Sequence, residues 1–323
     1  MKTWIDFDAA PVFAIPLTDE IGGVGVCEGM LIEGPQGWGE FSPPPGCDDR
    51  QDGRWLTAAV EVGTVGWPDP VRGRVPVAVT VPAVDPQRAR AIVDAAGCRT
   101  AAVRVGEGAL ADDIARVEAV RDALGPGGAI RCDANGHWDV ETAAAAVGAL
   151  DAAAGGLEFI EQPCRTLDEL AALRRRVDVR IAVDQSLRHA VDPRTLPLAE
   201  AADVAVLTVG ALGGVRRALR VSEICGLPCV VAADVESSVG VAGGLALAGV
   251  LDDAGYAAAL GGVRLLGGDL VSAGRSLIAA DGQLPVAPMP PAPDPGQIGR
   301  FAATDPVTVA RWRHRLAAAQ AYL

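Results

Sequence analysis

Three carboxylates close short apolar runs along the chain: Asp133 in AIRCDANGHW, Glu161 in LEFIEQP and Asp184 in VRIAVDQS. Asp133 and Glu161 are 28 residues apart, and Glu161 and Asp184 are 23 apart. Each interval is the length of one strand, one helix and two loops. Acids recurring at that interval at strand ends converge on one face of a parallel α/β barrel. Three convergent carboxylates repel one another unless a hard cation lies between them, so the pattern predicts a Mg²⁺-type site with Asp133, Glu161 and Asp184 as ligands. A single Asp at a strand end is ordinarily a helix cap or a solvated turn residue. Only the threefold recurrence supports the metal reading.

The elements that must position these acids are legible as a rhythm. From Val75 onward, apolar runs recur at 77–84, 100–105, 129–133, 157–161, 180–184, 202–208, 228–233 and 256–262. Helical patterns alternate with them at 86–97, 109–125, 140–154, 166–176 and 215–226. Thr166 with Glu169 reads as a capping box, and Gly97, Gly125 and Gly226 as C-terminal stops. Continuous apolar strands between amphipathic helices predict a parallel sheet covered on its outer face, and eight of them favour closure into a (β/α) barrel over 75–280. Residues 1–74 follow a different pattern. MLIEGPQGWGEFSP (30–43) reads as two strands about a Gly-Pro turn, and 43–54 as a polar, Pro-rich loop long enough to be a mobile flap. A Pro-rich strap at 285–296 leads to a final helix at 307–323. The expectation is an α+β capping domain built from 1–74 and 281–323.

Composition narrows the partners. The formal charge of −13, with no basic block, argues against a nucleic-acid or anionic-membrane surface. The seven cysteines show neither a zinc-ligand spacing nor a disulfide framework, so buried free thiols in a reducing cytoplasm are expected. No basic segment followed by an apolar stretch opens the sequence, so no signal peptide is expected. The glycine-rich apolar run at 239–251 suits a packed helix better than a membrane span. Oligomeric state is not legible. One count bears on the chemistry: Lys2 is the only lysine.

The words LIEGPQGWGEFSP, DANGHW, EFIEQPC, ALRRRVDVRIAVDQS, LGGVRRALRVSEICGLPCVV and ESSVG run over nearly the whole chain. Together they resemble the enolase superfamily and, within it, the actinobacterial o-succinylbenzoate synthases. The resemblance implies an enolase-like barrel with an α+β cap, and Mg²⁺ held by Asp133, Glu161 and Asp184, with Asn135 in support. It also implies lyase or isomerase chemistry on a small-molecule carboxylate through an enediolate, the family reaction being a dehydration to o-succinylbenzoate in menaquinone synthesis. In that family lysines act as acid, base or charge stabiliser. Their places fall here on Ala102, Arg104 and Thr208. Arginine keeps its proton, so Arg104 can stabilise an anion but makes a poor base. The expectation is therefore a divergent member, with the family dehydration weak or lost and a non-catalytic binder as the alternative. His137, Asp234 and Glu236 are the replacement bases to consider, each with an ordinary reading as a loop residue or helix cap. Gln185 stands where the family has Glu after its third ligand. Gly213 and Gly214, before a helix, read either as a phosphate or carboxylate cradle or as a tight turn. His189 and His314 read as surface residues, and Trp38 and Trp138 as packing.

Overall fold

The computed structural model of the chain describes residues 5–251 and 255–323; Lys2 lies outside them. Three antiparallel strands come first: β1 (Val12–Ile21), β2 (Val24–Gly34) and β3 (Gly37–Phe41). The GPQG turn joins the last two as its Gly and Pro content predicts. Helix α1 (Asp49–Thr64) packs across this sheet. Its close approach requires glycine at 39, where a Cβ would lie 2.1 Å from the Ala59 carbonyl oxygen. Strand β4 (Arg74–Pro76) then leads into the repeating unit.

That unit alternates β5 (Ala78–Val81), α2 (Pro86–Ala96), β6 (Thr100–Arg104), α3 (Leu110–Leu124), β7 (Ala129–Asp133), α4 (Val140–Ala154), β8 (Ile160–Glu161), α5 (Leu167–Arg174) and β9 (Ile181–Val183). A short α6 (Gln185–His189), β10 (Val204–Thr208), α7 (Val209–Leu212), α8 (Val215–Cys225), β11 (Cys229–Ala232) and α9 (Ser238–Val250) follow. The seven strands β5 to β11 form one parallel sheet in sequential order. The expected eighth strand is not a full strand. Residues 256–260 make only two isolated parallel bridges, Ala258 to Val77 and Ala259 to Ala232, and these close the ring between β5 and β11. Tyr256 follows Gly255 at φ 78°, and the run's Ala and Gly lack the branched side chains that stabilise extended backbone. Thr166 and Glu169 form the predicted capping box on α5, and Gly97 and Gly226 end α2 and α8 in the left-handed conformation.

Side chains alternate across the barrel wall. Phe159, Ala182, Val204, Val206, Val230 and Ala232 fill the interior, while Ala101, Val103, Ile130 and Val183 belong to the core beneath the helices. Arg131 lies in the interior as well, fully buried, its guanidinium 4.7 Å over the Phe159 ring and paired with Glu158 at 2.9 Å. Helix α9 is buried along nearly its whole length, and no helix among the described residues is long and apolar enough to cross a membrane.

The chain's end returns to its beginning. Strand β12 (Gln283–Pro285) pairs antiparallel with β4, and after α10 (Pro295–Arg300) the final helix α11 (Pro306–Ala319) packs on α1. Trp312 and Leu316 share a core with Met30, Ile32, Phe41, Trp55 and Leu56. The segment read as a flap at 43–54 is instead anchored. Asp48 caps α1 reciprocally with Gln51, so helix begins within the expected loop. Arg315 of α11 donates to the Pro43 and Pro44 carbonyls at 3.0 and 3.3 Å and grips buried Asp52 at 2.6 and 2.8 Å. The segment is thus tied to a partner 263 residues distant from Asp52 in sequence.

The seam between the N-terminal sheet and the barrel is acidic. Glu40 of β3 accepts hydrogen bonds from the Ser42 hydroxyl (2.8 Å), the Ser237 amide (3.2 Å) and hydroxyl, and the Gly240 amide (3.2 Å). Glu236 lies beside it, both carboxyls converging on Gly240. Burial, then the Glu40 charge, pushes the Glu236 carboxyl well above the ordinary range. Burial raises Glu40 too, against the pull of its Ser237 and Ser42 hydrogen bonds.

Two measurements follow. Arg315→Ala leaves the buried Asp52 carboxylate uncompensated and should lower stability by about 3 kcal/mol in urea unfolding; an unchanged midpoint would show that the anchor contributes nothing. Because Glu236 titrates higher folded than unfolded, its contribution is complete below the ordinary Glu value of 4.5 and is lost as pH rises through the raised one. Glu236→Gln should therefore raise the melting temperature at about pH 8 and have little effect near pH 4. Equal shifts at both would exclude a raised Glu236.

Candidate functional site

The three acids stand on neighbouring strands at one end of the barrel. Asp133 ends β7, Glu161 ends β8, and the two are register partners; Asp184 follows β9 two residues beyond Ala182, the partner of Glu161. Parallel strands bring the carboxyl ends of successive units to one rim, so intervals in sequence become adjacency in space. Glu161 and Asp184 are buried, and Asp133 is partly exposed.

Burial and crowding show in the proton affinities of Glu161 and Asp184. Burial, then the charges of Asp133 and Asp184, pushes Glu161 well above the usual carboxylate range. Burial raises Asp184 to about 6 even though Arg188 opposes the rise. Among the described residues no donor hydrogen-bonds the Glu161 carboxylate. The other two acids are held by guanidinium groups. Arg104 Nη1 donates to Asp133 Oδ2 at 2.6 Å, with Glu107 3.4 Å from its Nε. Arg188 Nε donates to Asp184 Oδ1 at 2.7 Å, and its Nη1 reaches both oxygens of Asp234 at 2.8 and 2.7 Å. With Asp133 and Asp184 turned to their arginines, no three acidic, histidine or cysteine side chains among the described residues are grouped as a ready metal cage. The donor chemistry nevertheless suits a hard cation: three carboxylates, one of them buried and unbonded.

Other residues shape this rim. The Asn135 amide donates to Asp133 Oδ1 at 3.0 Å, and the Asn135 side chain accepts from Gln185 Nε2; Asn135 adopts φ 50°. Gln162 had no role in the sequence reading. Its Oε1 accepts from the Asp184 and Ser186 amides at 3.0 and 3.2 Å, and its Nε2 donates to the Cys164 carbonyl and Ser186 hydroxyl at 3.0 and 2.9 Å. This fully buried amide, at φ 38°, sets the backbone that carries the third acid. Its sequence signals were its place directly after Glu161 and its membership of the EFIEQPC word. Arg188 was also missed, though its spacing of four from Asp184 on a helical turn was readable. Arg54 of α1 steadies that turn, donating to the carbonyls of Arg188, Ala190 and Val191 at 3.1, 2.6 and 2.9 Å.

The positions expected to carry lysine face the same interior. Ala102 and Arg104 lie on β6, two apart, and Thr208 ends β10. Thr208 is buried with no hydrogen-bond partner for its hydroxyl among the described residues, whereas Ala102 is partly exposed. Burial opposes the Arg104 charge, but Asp133, Glu107 and Glu161 outweigh it and raise its proton affinity. Of the candidate bases, His137 is exposed on the loop after β7, Asp234 is doubly bonded to Arg188, and Glu236 is buried against Glu40.

Gly213 and Gly214 do not present an open cradle. The Glu61 carboxylate of α1 accepts from the Val215 and Arg216 amides at 2.6 and 3.2 Å, filling the N-terminus of α8. Gly214, at φ 116°, is needed because a Cβ would lie 2.5 Å from Glu61 Oε2. Of the two readings left open for this pair, a tight left-handed turn is present, and the carboxylate at the α8 N-terminus comes from the chain itself, 154 positions away.

Comparison with known proteins agrees with this architecture. Residues 86–293 match the family described as Enolase C-terminal domain-like, and residues 12–63 match Enolase N-terminal domain-like. The chain is 50% identical to an o-succinylbenzoate synthase of Thermobifida fusca over 96% of its own length and 95% of the relative's. It is 42% identical to an o-succinylbenzoate synthase of Mycolicibacterium smegmatis, covering 91% and 90% of the two chains. Among solved structures, muconate lactonizing enzyme from Pseudomonas fluorescens superposes with a TM-score of 0.78 at 20% identity, over 93% of this chain and 98% of that one. The L-Ala-D/L-Glu epimerase of Bacillus subtilis gives 0.75 at 21% identity, over 91% and 98%. At those identities the structural likeness establishes the fold alone, while the sequence relatives reach further. The chain belongs to the enolase superfamily and, within it, to the family of the o-succinylbenzoate synthases.

Proposed function

We propose that this protein binds a Mg²⁺-type cation and a small carboxylate at the rim formed by Asp133, Glu161 and Asp184, with the family's proton-transfer apparatus rebuilt or lost. The observation that carries this reading is the juxtaposition at one barrel mouth of three acids with Ala102, Arg104 and Thr208, in a chain whose only lysine is Lys2. When bound, the cation supplies charge stabilisation for an enediolate formed next to a carboxylate. Asp133, Glu161 and Asp184 would hold it, with Gln162 fixing the backbone of the third and the Asn135 backbone N–H orienting the carboxylate of the first.

The remaining chemistry falls to the chain's own groups. Arg104 remains cationic at any working pH and can balance negative charge on a bound acid, but cannot accept its α-proton. Asp234 is committed to Arg188 through both oxygens, which lowers its value as a base. Glu236 is held towards its protonated form by burial and by Glu40, so it is better suited to donating than to accepting. With Asp234 and Glu236 committed, His137, exposed on the loop after β7, is the candidate base left, and this supports a weak or absent family dehydration. It also favours, as a second reading, a non-catalytic relative that binds a metal and a carboxylate.

Binding and turnover separate these readings. Mn²⁺, followed by electron paramagnetic resonance, should bind the wild type and be lost in Glu161→Gln. Arg104→Met removes a tethered competitor for Asp133 and should tighten that binding by about tenfold, equivalent to about 1.4 kcal/mol. No Mn²⁺ binding in either wild type or Arg104→Met would sink the cation centre itself. Exchange of substrate protons with solvent deuterium over a panel of carboxylic acids then divides enzyme from binder. Measurable exchange by the wild type supports an enzyme with a rebuilt base. Exchange only after Ala102→Lys, Arg104→Lys and Thr208→Lys are introduced together supports lost catalysis on an intact scaffold. Dehydration by the wild type at a rate matching its synthase relatives would overturn the proposed divergence.

A further inference from the structure

At the end of the barrel remote from the acids, α8 and β11 are joined by only Gly226, Leu227 and Pro228. Cys225 is the last residue of α8 and Cys229 the first of β11. Gly226, at φ 68°, turns the chain back on itself, so the two thiols meet with their sulfurs 3.7 Å apart. Both also point to the Leu227 carbonyl, at 3.7 and 3.4 Å. The Pro228 carbonyl is tied to the Ala205 amide of β10 at 2.9 Å, which fixes the loop from the strand side. Both cysteines are partly accessible, whereas Cys27, Cys98, Cys132 and Cys164 are buried.

The seven thiols differ in character. Burial pushes Cys27, Cys98 and Cys132 up, Cys164 to about 11 and Cys47 to about 12. Cys225 alone is lowered, to about 6, chiefly by its hydrogen bond with the Cys229 sulfur, in which either thiol can be the donor. A thiolate beside a protonated thiol is the arrangement that thiol–disulfide exchange needs, one sulfur to attack and one to resolve.

We propose that Cys225 and Cys229 form a reversible redox pair that exchanges with low-molecular-weight disulfides and closes to an intramolecular disulfide across the α8–β11 turn. The Cys225 thiolate attacks one sulfur of the disulfide and expels the other as a thiolate, leaving a mixed disulfide on Cys225. Cys229 then loses its proton to that leaving thiolate or to water, and its sulfur attacks Cys225 Sγ and expels the second small molecule as a thiolate. Two electrons pass from the protein pair to the small disulfide, which becomes two thiols by taking up the Cys229 proton and, from solvent, the proton that Cys225 had already released. Closure needs the sulfurs to approach from contact to bonding distance, a shift that rotation about the two Cα–Cβ bonds can supply on a turn already reversed by Gly226.

Oxidised glutathione tests this on the full chain. The folded, reduced protein is held in glutathione buffers of increasing oxidation and quenched in acid. The expected wild-type product is lighter by about 2 Da and has two fewer titratable thiols after denaturation, with peptide mapping placing the bond between 225 and 229. Adding excess reduced glutathione should restore all seven thiols. Cys229→Ser should stop at a glutathione adduct on Cys225, and Cys225→Ser should react at least about tenfold more slowly than wild type. A wild-type chain that keeps every thiol, stops at a glutathione adduct, or bridges a different pair overturns the proposal. The wild-type mapping decides the matter even if either variant folds poorly.

Discussion

Negative charge confined at the barrel mouth is the constraint that organises this protein. Asp133, Glu161 and Asp184 are brought together by strand order, and two of them are buried. Buried like charges are costly unless each is paired or protonated. The chain meets this with two guanidinium groups, Arg104 on Asp133 and Arg188 across Asp184 and Asp234, while burial drives Glu161 towards its protonated form. The internal pairing thus offsets part of the repulsion at this rim, and Arg104 is the residue that balances Asp133.

The N-terminal sheet and α1 bear on that centre from outside. Arg54 holds the turn carrying Arg188, Glu61 fills the α8 N-terminus, and Glu40 organises the start of α9 through Ser237 and Gly240. Each contact is a charged side chain of the first 61 residues meeting backbone groups of the barrel. These polar contacts add directional pairing to a seam that is also apolar, since Phe13, Ile15, Cys27 and Leu31 of the N-terminal sheet share the barrel's core while the rest of that sheet packs with α1 and α11. Arg315 fixes the far edge by clamping the segment before α1.

Much of this was legible beforehand for local reasons. The helices α2 to α5 and α8 fall within a few residues of their expected ranges because their periodicity, caps and terminal glycines agree. The weak eighth strand and the early start of α1 were not. Ala and Gly signal extended structure poorly, and the Asp48–Gln51 cap lies in a stretch whose prolines and acids read as loop. The roles of Gln162, Glu61 and Arg315 were hidden for a different reason. Each acts on backbone amides or carbonyls of remote segments, and such partners leave no trace in side-chain pattern.

By itself the sequence determined the kind of protein: eight apolar runs, three acids at strand-length intervals, the family words around them, and a chain with one lysine. These are properties of residue type and spacing, which the repeat of strand and helix converts directly into a barrel with acids at one rim. Only the tertiary structure decided how that rim is balanced. Pairing of Asp133 with Arg104, doubling of Arg188 onto Asp234, and filling of the Gly213–Gly214 turn by Glu61 depend on through-space distances of a few ångströms between groups far apart in the chain. Spacing along one strand carries no information about such distances, because they are set by the curvature and register of the closed sheet.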